Sequence, residues 1–259
     1  MTNSFVRIAA AFALTCASFG GLAAQEEKPV DPMVLLSDMA QDIGGSPALS
    51  FDAVTLSDEQ FENQFIKRIV RRSIAVARPS TLLMRAVSDD GETTLVEFNG
   101  ERARIFYVAD KEFADVEFKG DLDAFIDFAD TQGLSRTAVL DLLSSRLDEQ
   151  AAEAVLDTVL IEDYVDPLAP DAQVFNVLFK GVGANWQLWL QDGEDRVVPQ
   201  RMVVTYLGEL GQPEHATQFS NWQFDIPTEG LAQSFGIPGD LTGWTKVDFV
   251  SPTSAPAKQ

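Results

Sequence analysis

The chain has 259 residues, a net charge of −21 and an apolar content of 46% that includes 18 Phe. Such acidity repels nucleic-acid phosphates and anionic headgroups, so a nucleic-acid partner is excluded, while the apolar content excludes a disordered chain. One Cys and one His leave no material for a disulfide or a cysteine zinc site.

Met1 to Arg7 is a short positive start, Ile8 to Ala17 an apolar run, and Gly21-Leu22-Ala23-Ala24 a small-residue stretch before the polar Gln25-Glu26-Glu27-Lys28-Pro29. This is the layout of a secretory signal peptide over 1–24, cleaved near Ala23 or Ala24. The apolar run is shorter than the ~20 residues of a membrane span. Residues 25–30 then form a polar mature start, export places the protein in the periplasm, and no transmembrane anchor is expected in the mature chain. Cys16 lies inside the signal. Lipidation there would need Leu three residues earlier and a small residue just before, where Ala13 and Thr15 stand.

Asp31-Pro32 starts a helix, with Asp as cap and Pro in the first turn. Met33, Leu36, Met39, Ala40 and Ile43 keep helical spacing until Gly44-Gly45. From Leu49 the period changes to two. Strands are expected at Leu49 onward, within Phe61 to Ala77, and at Leu82 to Val87. Thr93 to Phe98, Asn99-Gly100 and Arg102 to Val108 make a hairpin signal. Short connections between successive strands argue for an antiparallel meander.

The middle of the chain is helical. Leu122, Phe125, Ile126 and Ala129 share one face, opposite Asp123, Asp127 and Asp130. Ser135 caps a second helix to about Leu147, with Val139, Leu140, Leu143 and Leu147 inward; Ala151 to Leu156 continues or restarts it. Strands return at Val159 to Val165, Val174 to Lys180, Asn185 to Gln191, Arg201 to Leu207 and His215 to Phe224. Alternation puts Trp186, Leu188 and Leu190 on one side and Trp189 on the other. The segment from Gly236 is rich in Gly and Pro, and 251–259 reads as a frayed tail.

Catalytic signals are weak. His215 reads as a lone exposed side chain after Pro213-Glu214. No nucleophile elbow, zinc spacing, phosphate loop or dinucleotide fingerprint is present. Asp192-Gly193-Glu194-Asp195 lacks the ligand spacing of a calcium loop and reads as a hairpin turn. The expectation is a protein that is not an enzyme and needs no cofactor and no metal.

Several pieces line up in order: Arg78-Pro79, Asp89-Asp90-Gly91, Phe98-Asn99-Gly100, Tyr107 to Lys111, the helical insert, Asn185 to Gly193, Pro199 to Tyr206, and Ser220 to Phe224. This pattern resembles the predicted periplasmic proteins of domain of unknown function 2092, over most of Asp31 to Phe249. Relatives carry a Cys and a His in the strand before the Trp-rich hairpin. Here that strand reads Val174 to Phe179, so no role resting on that pair carries over.

The family is in turn similar in architecture to lipoprotein carriers of the LolA and LppX types. The resemblance implies an α+β fold over 31–250, an antiparallel open half-barrel sheet covered by amphipathic helices at 31–43 and 121–157. It also implies a hydrophobic ligand, a lipid or acyl chain, between sheet and helical lid. Alternation nominates Phe98 and Phe106 on the first hairpin, Leu122, Phe125 and Ile126 on the lid, and Trp186 and Leu188 on the second hairpin as its contacts. Burying a sixteen-carbon chain would supply on the order of 10 kcal/mol before ordering costs. The competing expectation is a structural or interaction protein with a filled core and a protein partner at the cell envelope.

Overall fold

The computed structural model describes residues 30–62, 64–131, 138–161, 164–167, 170–193 and 195–249. The expected signal peptide, the cap at Ser135 and the tail from 251 lie outside them.

Helix α1 (Pro32–Gly44) begins as its sequence dictates. The Asp31 side chain accepts a hydrogen bond from the Met33 N–H at 2.9 Å, and Pro32 occupies the first turn. Six strands follow: β1 (Ala48–Phe61), β2 (Gln64–Ala77), β3 (Thr81–Ser88), β4 (Thr93–Phe98), β5 (Arg102–Tyr107) and β6 (Glu112–Glu117). Then come α2 (Leu122–Thr131), a 3-10 turn at Asp141–Leu143, and α3 (Leu147–Ala154). The second half carries β7 (Val155–Ile161), β8 (Val174–Gly181), β9 (Ala184–Asp192), β10 (Val197–Tyr206), β11 (Glu214–Phe224), α4 (Leu231–Ser234) and β12 (Thr245–Val247).

The twelve described strands join one open sheet in the order β12-β6-β5-β4-β3-β2-β1-β11-β10-β9-β8-β7. Every neighbouring pair is antiparallel except β12 on β6. Two meanders therefore meet at the β1–β11 seam, where Leu49 opposes Phe224 and Ser57 opposes His215. The sheet is strand-dominated, and its helices are short covers.

One face carries the main core. Leu49, Phe51, Ile74, Val76, Leu82, Phe98, Ile105, Phe179, Leu188, Leu190, Val204 and Phe219 are all buried there, under α1, α2 and the 3-10 turn. The opposite face carries a smaller cluster of Leu83, Leu95, Phe106, Phe113 and Ile237. The Gly- and Pro-rich C-terminal segment packs on it: Trp244 meets Phe106 edge-on at 5.4 Å, and Thr245–Val247 adds β12 to the sheet edge. The expected cover was on one face only. The structure covers both, because Leu83, Leu95 and Phe106 alternate outward from the main core and are too apolar to face water.

The hairpin expected at Asn99-Gly100 forms, with its two central turn residues one position later, at Gly100-Glu101: Phe98 pairs with Ala103, and the Asn99 N–H donates to the Arg102 carbonyl at 3.3 Å. Only Gly100 there has positive φ (+88°), and the Asn99 side chain accepts from the Glu101 and Arg102 N–H groups at 3.2 Å each. One local expectation is revised. The second helix does not run to Leu147. Ala138 to Leu140 is irregular, the 3-10 turn follows, and α3 starts at Leu147. Val139, Leu140 and Leu143 are nevertheless buried, as their spacing predicts, while Leu147 is only partly buried against the core.

Candidate functional site

The helical layer is anchored unevenly. Helix α2 buries Leu122, Phe125, Ile126 and Ala129. Phe125 stacks on Phe98 with ring centres 4.3 Å apart and planes 8° apart, and Phe118 and Phe128 extend the cluster. The Asp123 carboxylate accepts from the Ser145 N–H at 2.8 Å and its hydroxyl at 2.5 Å, fixing the far end of the segment after α2. Arg78 donates to the Leu143 carbonyl at 2.5 Å. Helix α1 is tied to the sheet by Asp42, which accepts from the Val197 N–H at 2.7 Å.

Helix α3 is different. It buries none of its residues fully, because Leu147-Asp148-Glu149-Gln150-Ala151-Ala152-Glu153-Ala154 offers one large apolar side chain and three alanines. Alanine is a strong helix former but a small packing unit. Between α3, α1, the 3-10 turn and strands β8 to β10 lies a cavity of about 190 Å³. Leu36 and Met39 of α1, Leu142, Leu147, Ala151, Ala154 and Val155, and Phe179, Trp186, Leu188 and Met202 of the sheet line it. A mostly apolar pocket of this size accommodates small hydrophobes.

Two polar residues line this otherwise apolar wall, Asp141 and Gln150. Burial pushes the Asp141 carboxyl up to about 6, helped by the negative charges of Asp130 and Asp127. Tyr206, at the end of β10, is pushed up to about 12 by burial and by Asp141, Glu209 and Asp130, so its hydroxyl keeps its proton.

Gly181 sets the position of Trp186. A Cβ there would fall 2.7 Å from the Ala184 carbonyl oxygen and 2.9 Å from the Trp186 ring. The indole therefore leans over the β8–β9 turn, where only glycine leaves space.

Of the residues nominated from sequence, the cavity brings together Trp186 and Leu188. Phe98, Leu122, Phe125 and Ile126 are packed against one another in the main core, outside the cavity lining. Phe106 belongs to the opposite face. It pairs with Leu95, whereas Phe98 pairs with Ala103, and the two phenylalanines are out of phase by the strand period of two. Sequence reasoning missed Asp141, Ala151 and Ala154. Ala151 and Ala154 gave a partial signal, since an alanine-rich helix over an aromatic hairpin underfills the space beneath it, while Asp141 gave none.

Trp189 points away from Trp186 as expected and stacks with Arg201, whose guanidinium lies 5.1 Å from the ring centre and pairs with the buried Asp166. Trp222 packs on Phe51 at 4.3 Å and donates to the Pro199 carbonyl at 3.1 Å. His215 is not exposed. It is half-buried, with its ring edge-on to Tyr206 at 5.1 Å, because β11 turns it toward the end of β10. Among the described residues no cluster of three metal-ligating side chains occurs, and no helix is long and apolar enough to cross a membrane.

The chain belongs to the family described as predicted periplasmic protein, domain of unknown function 2092 (DUF2092), whose pattern matches residues 33–243. The sequence matches no curated protein. Among solved structures it is similar to LprF from Mycobacterium bovis, at 12% identity and a TM-score of 0.45, covering 76% of this chain and 95% of that one. It is also similar to an uncharacterized conserved protein from Thermus thermophilus, at 11% identity and a TM-score of 0.43, covering 83% and 98%. A LolA superfamily protein from Nitrosomonas europaea overlaps at 8% identity and a TM-score of 0.36, covering 78% and 97%.

Proposed function

We propose that this periplasmic protein is a non-enzymatic binding protein that holds a hydrophobic ligand, a lipid or acyl chain, between the β8–β10 part of the sheet and helix α3. One observation carries this reading: an apolar cavity of about 190 Å³ roofed by a helix with no fully buried residue. Burial of six methylenes there would supply about 5 kcal/mol before ordering costs. A sixteen-carbon chain exceeds this space, since pockets for drug-sized molecules run from ~300 Å³ upward. A long chain would therefore enter by lifting α3, and α3 acts as the lid in place of the firmly packed α2. No cofactor takes part.

The test is a titration with N-phenyl-1-naphthylamine, an uncharged apolar dye, followed by its emission. One saturable site in the native protein, lost in Ala151→Trp with an unchanged circular dichroism spectrum, is the expected result. Equal binding by both proteins would place the ligand elsewhere and overturn the reading.

A second reading, an interaction protein, has its own support. Edge strand β7 exposes Leu156 and Ile161, and the adjoining turn exposes Val182. A strand at the edge of the described sheet with apolar side chains exposed suits strand addition by a protein partner. Leu156→Lys would abolish such a complex while leaving dye binding intact.

A further inference from the structure

We infer that the cavity under α3 selects hydrophobes that carry an amine, with the apolar body against Trp186, Leu188 and Met202 and the ammonium at the Asp141 carboxylate. The inference rests on the ligand-binding reading above and names the ligand's chemistry.

Among the described residues, Asp141 is the one charged side chain in the cavity wall, and no hydrogen bond or ion pair reaches its carboxylate. The charges that act on it are Asp130 and Asp127, both from α2 and both negative. Tyr206 from β10 is a neutral phenol, Gln150 from α3 is uncharged, and Glu209 beyond β10 adds a further negative charge near Tyr206. The nearby cation Arg146 is already 2.9 Å from Asp127.

A desolvated carboxylate without a partner is unfavourable, and a cation brought by the ligand supplies what the described residues do not. A fatty acid would instead bring a further negative charge into this field. The net charge of −21 also raises the local concentration of cationic amphiphiles. The carboxyl titrates near 6 for the reasons given above. Protonation removes the charge that holds the ammonium, so amine affinity falls as pH drops through that value.

The experiment is calorimetric titration of the full chain with octylamine, octanol and octanoate at about pH 7.5, and with octylamine again at about pH 5. Octylamine is expected to bind about ten-fold or more tighter than octanol, the scale of one charge-assisted contact. Octanoate should be weakest. Asp141→Asn should abolish the preference, octylamine and octanol binding that variant equally, and the acid measurement on the native protein should show the same loss of preference. Equal affinities for octylamine and octanol would overturn the amine inference and leave the cavity reading standing. Tightest binding by octanoate would do the same. Binding by none of the three would sink the cavity reading itself, and this inference with it. Should Asp141→Asn fail to fold, the pH comparison decides alone: an octylamine affinity that does not fall at acid pH overturns the inference.

Discussion

The two ends of the helical layer cover the same sheet in opposite ways. Over β4 and β5, α2 inserts Phe125 against Phe98 with stacked rings and fills the space. Over β8 to β10, α3 presents Leu147, Gln150 and two alanines to Trp186 and Leu188 and leaves about 190 Å³. The difference lies in side-chain volume, since both covers are short amphipathic helices beside apolar strands. A filled region contributes stability, and an underfilled one is where a ligand can add contacts that the chain itself lacks.

The comparison is most sharply tested where the largest effect is expected. Phe125→Ala removes a fully buried ring from the filled side and should cost about 3–5 kcal/mol of unfolding free energy in urea titrations. A loss below about 1 kcal/mol would mean that this side is not the tight one.

Next is a matched pair. Ala129 is fully buried on α2, while Ala151 of α3 lines the cavity. Ala129→Leu should destabilise by about 1–3 kcal/mol through overpacking. Ala151→Leu should be neutral or stabilise by up to about 2 kcal/mol, as cavity-filling changes do. Equal costs at the two sites would erase the distinction drawn between them.

Gly181→Ala is expected to act at a single contact. The new Cβ collides with the Ala184 carbonyl and the Trp186 ring, costing about 1–3 kcal/mol and shifting tryptophan emission. An unchanged emission spectrum would show that Gly181 does not position the indole.

A further effect concerns pH. The Asp141 carboxyl is raised to about 6 in the fold from its ordinary value of 3.8. Between those values the folded chain holds more protons than the unfolded one, so this group's contribution to stability improves as pH falls from 6 toward 4. Comparing thermal unfolding of the native protein and Asp141→Asn across that window should show this gain only when the aspartate is present. Parallel curves would contradict the assignment of the raised value to Asp141.

Much of the fold was legible because its signals are local. The cap at Asp31, the alternation through Trp186 to Leu190 and the apolar stripe of α2 each specify an element and its inward face. What failed depended on distant partners. Phe98 and Phe106 look alike in sequence, and only the register of β4 on β5 separates their faces. The C-terminal cover at Leu231 to Val247 was hidden because glycines and prolines mask a segment whose order comes from packing Ile237 and Trp244 onto the far face. The site was half legible for the same reason. Trp186 and Leu188 stand out as apolar alternation, whereas a cavity is a lack of volume between elements far apart in the chain, and neither Ala151 nor Asp141 announces it alone.

The most direct test of the account is native mass spectrometry of the protein purified from the periplasm, alongside Ala129→Leu and Ala151→Trp. The account predicts a stoichiometric hydrophobe on the native protein and on Ala129→Leu, and its loss from Ala151→Trp. A native protein that carries nothing, and takes up nothing when challenged with octylamine, octanol or phospholipid, would contradict it.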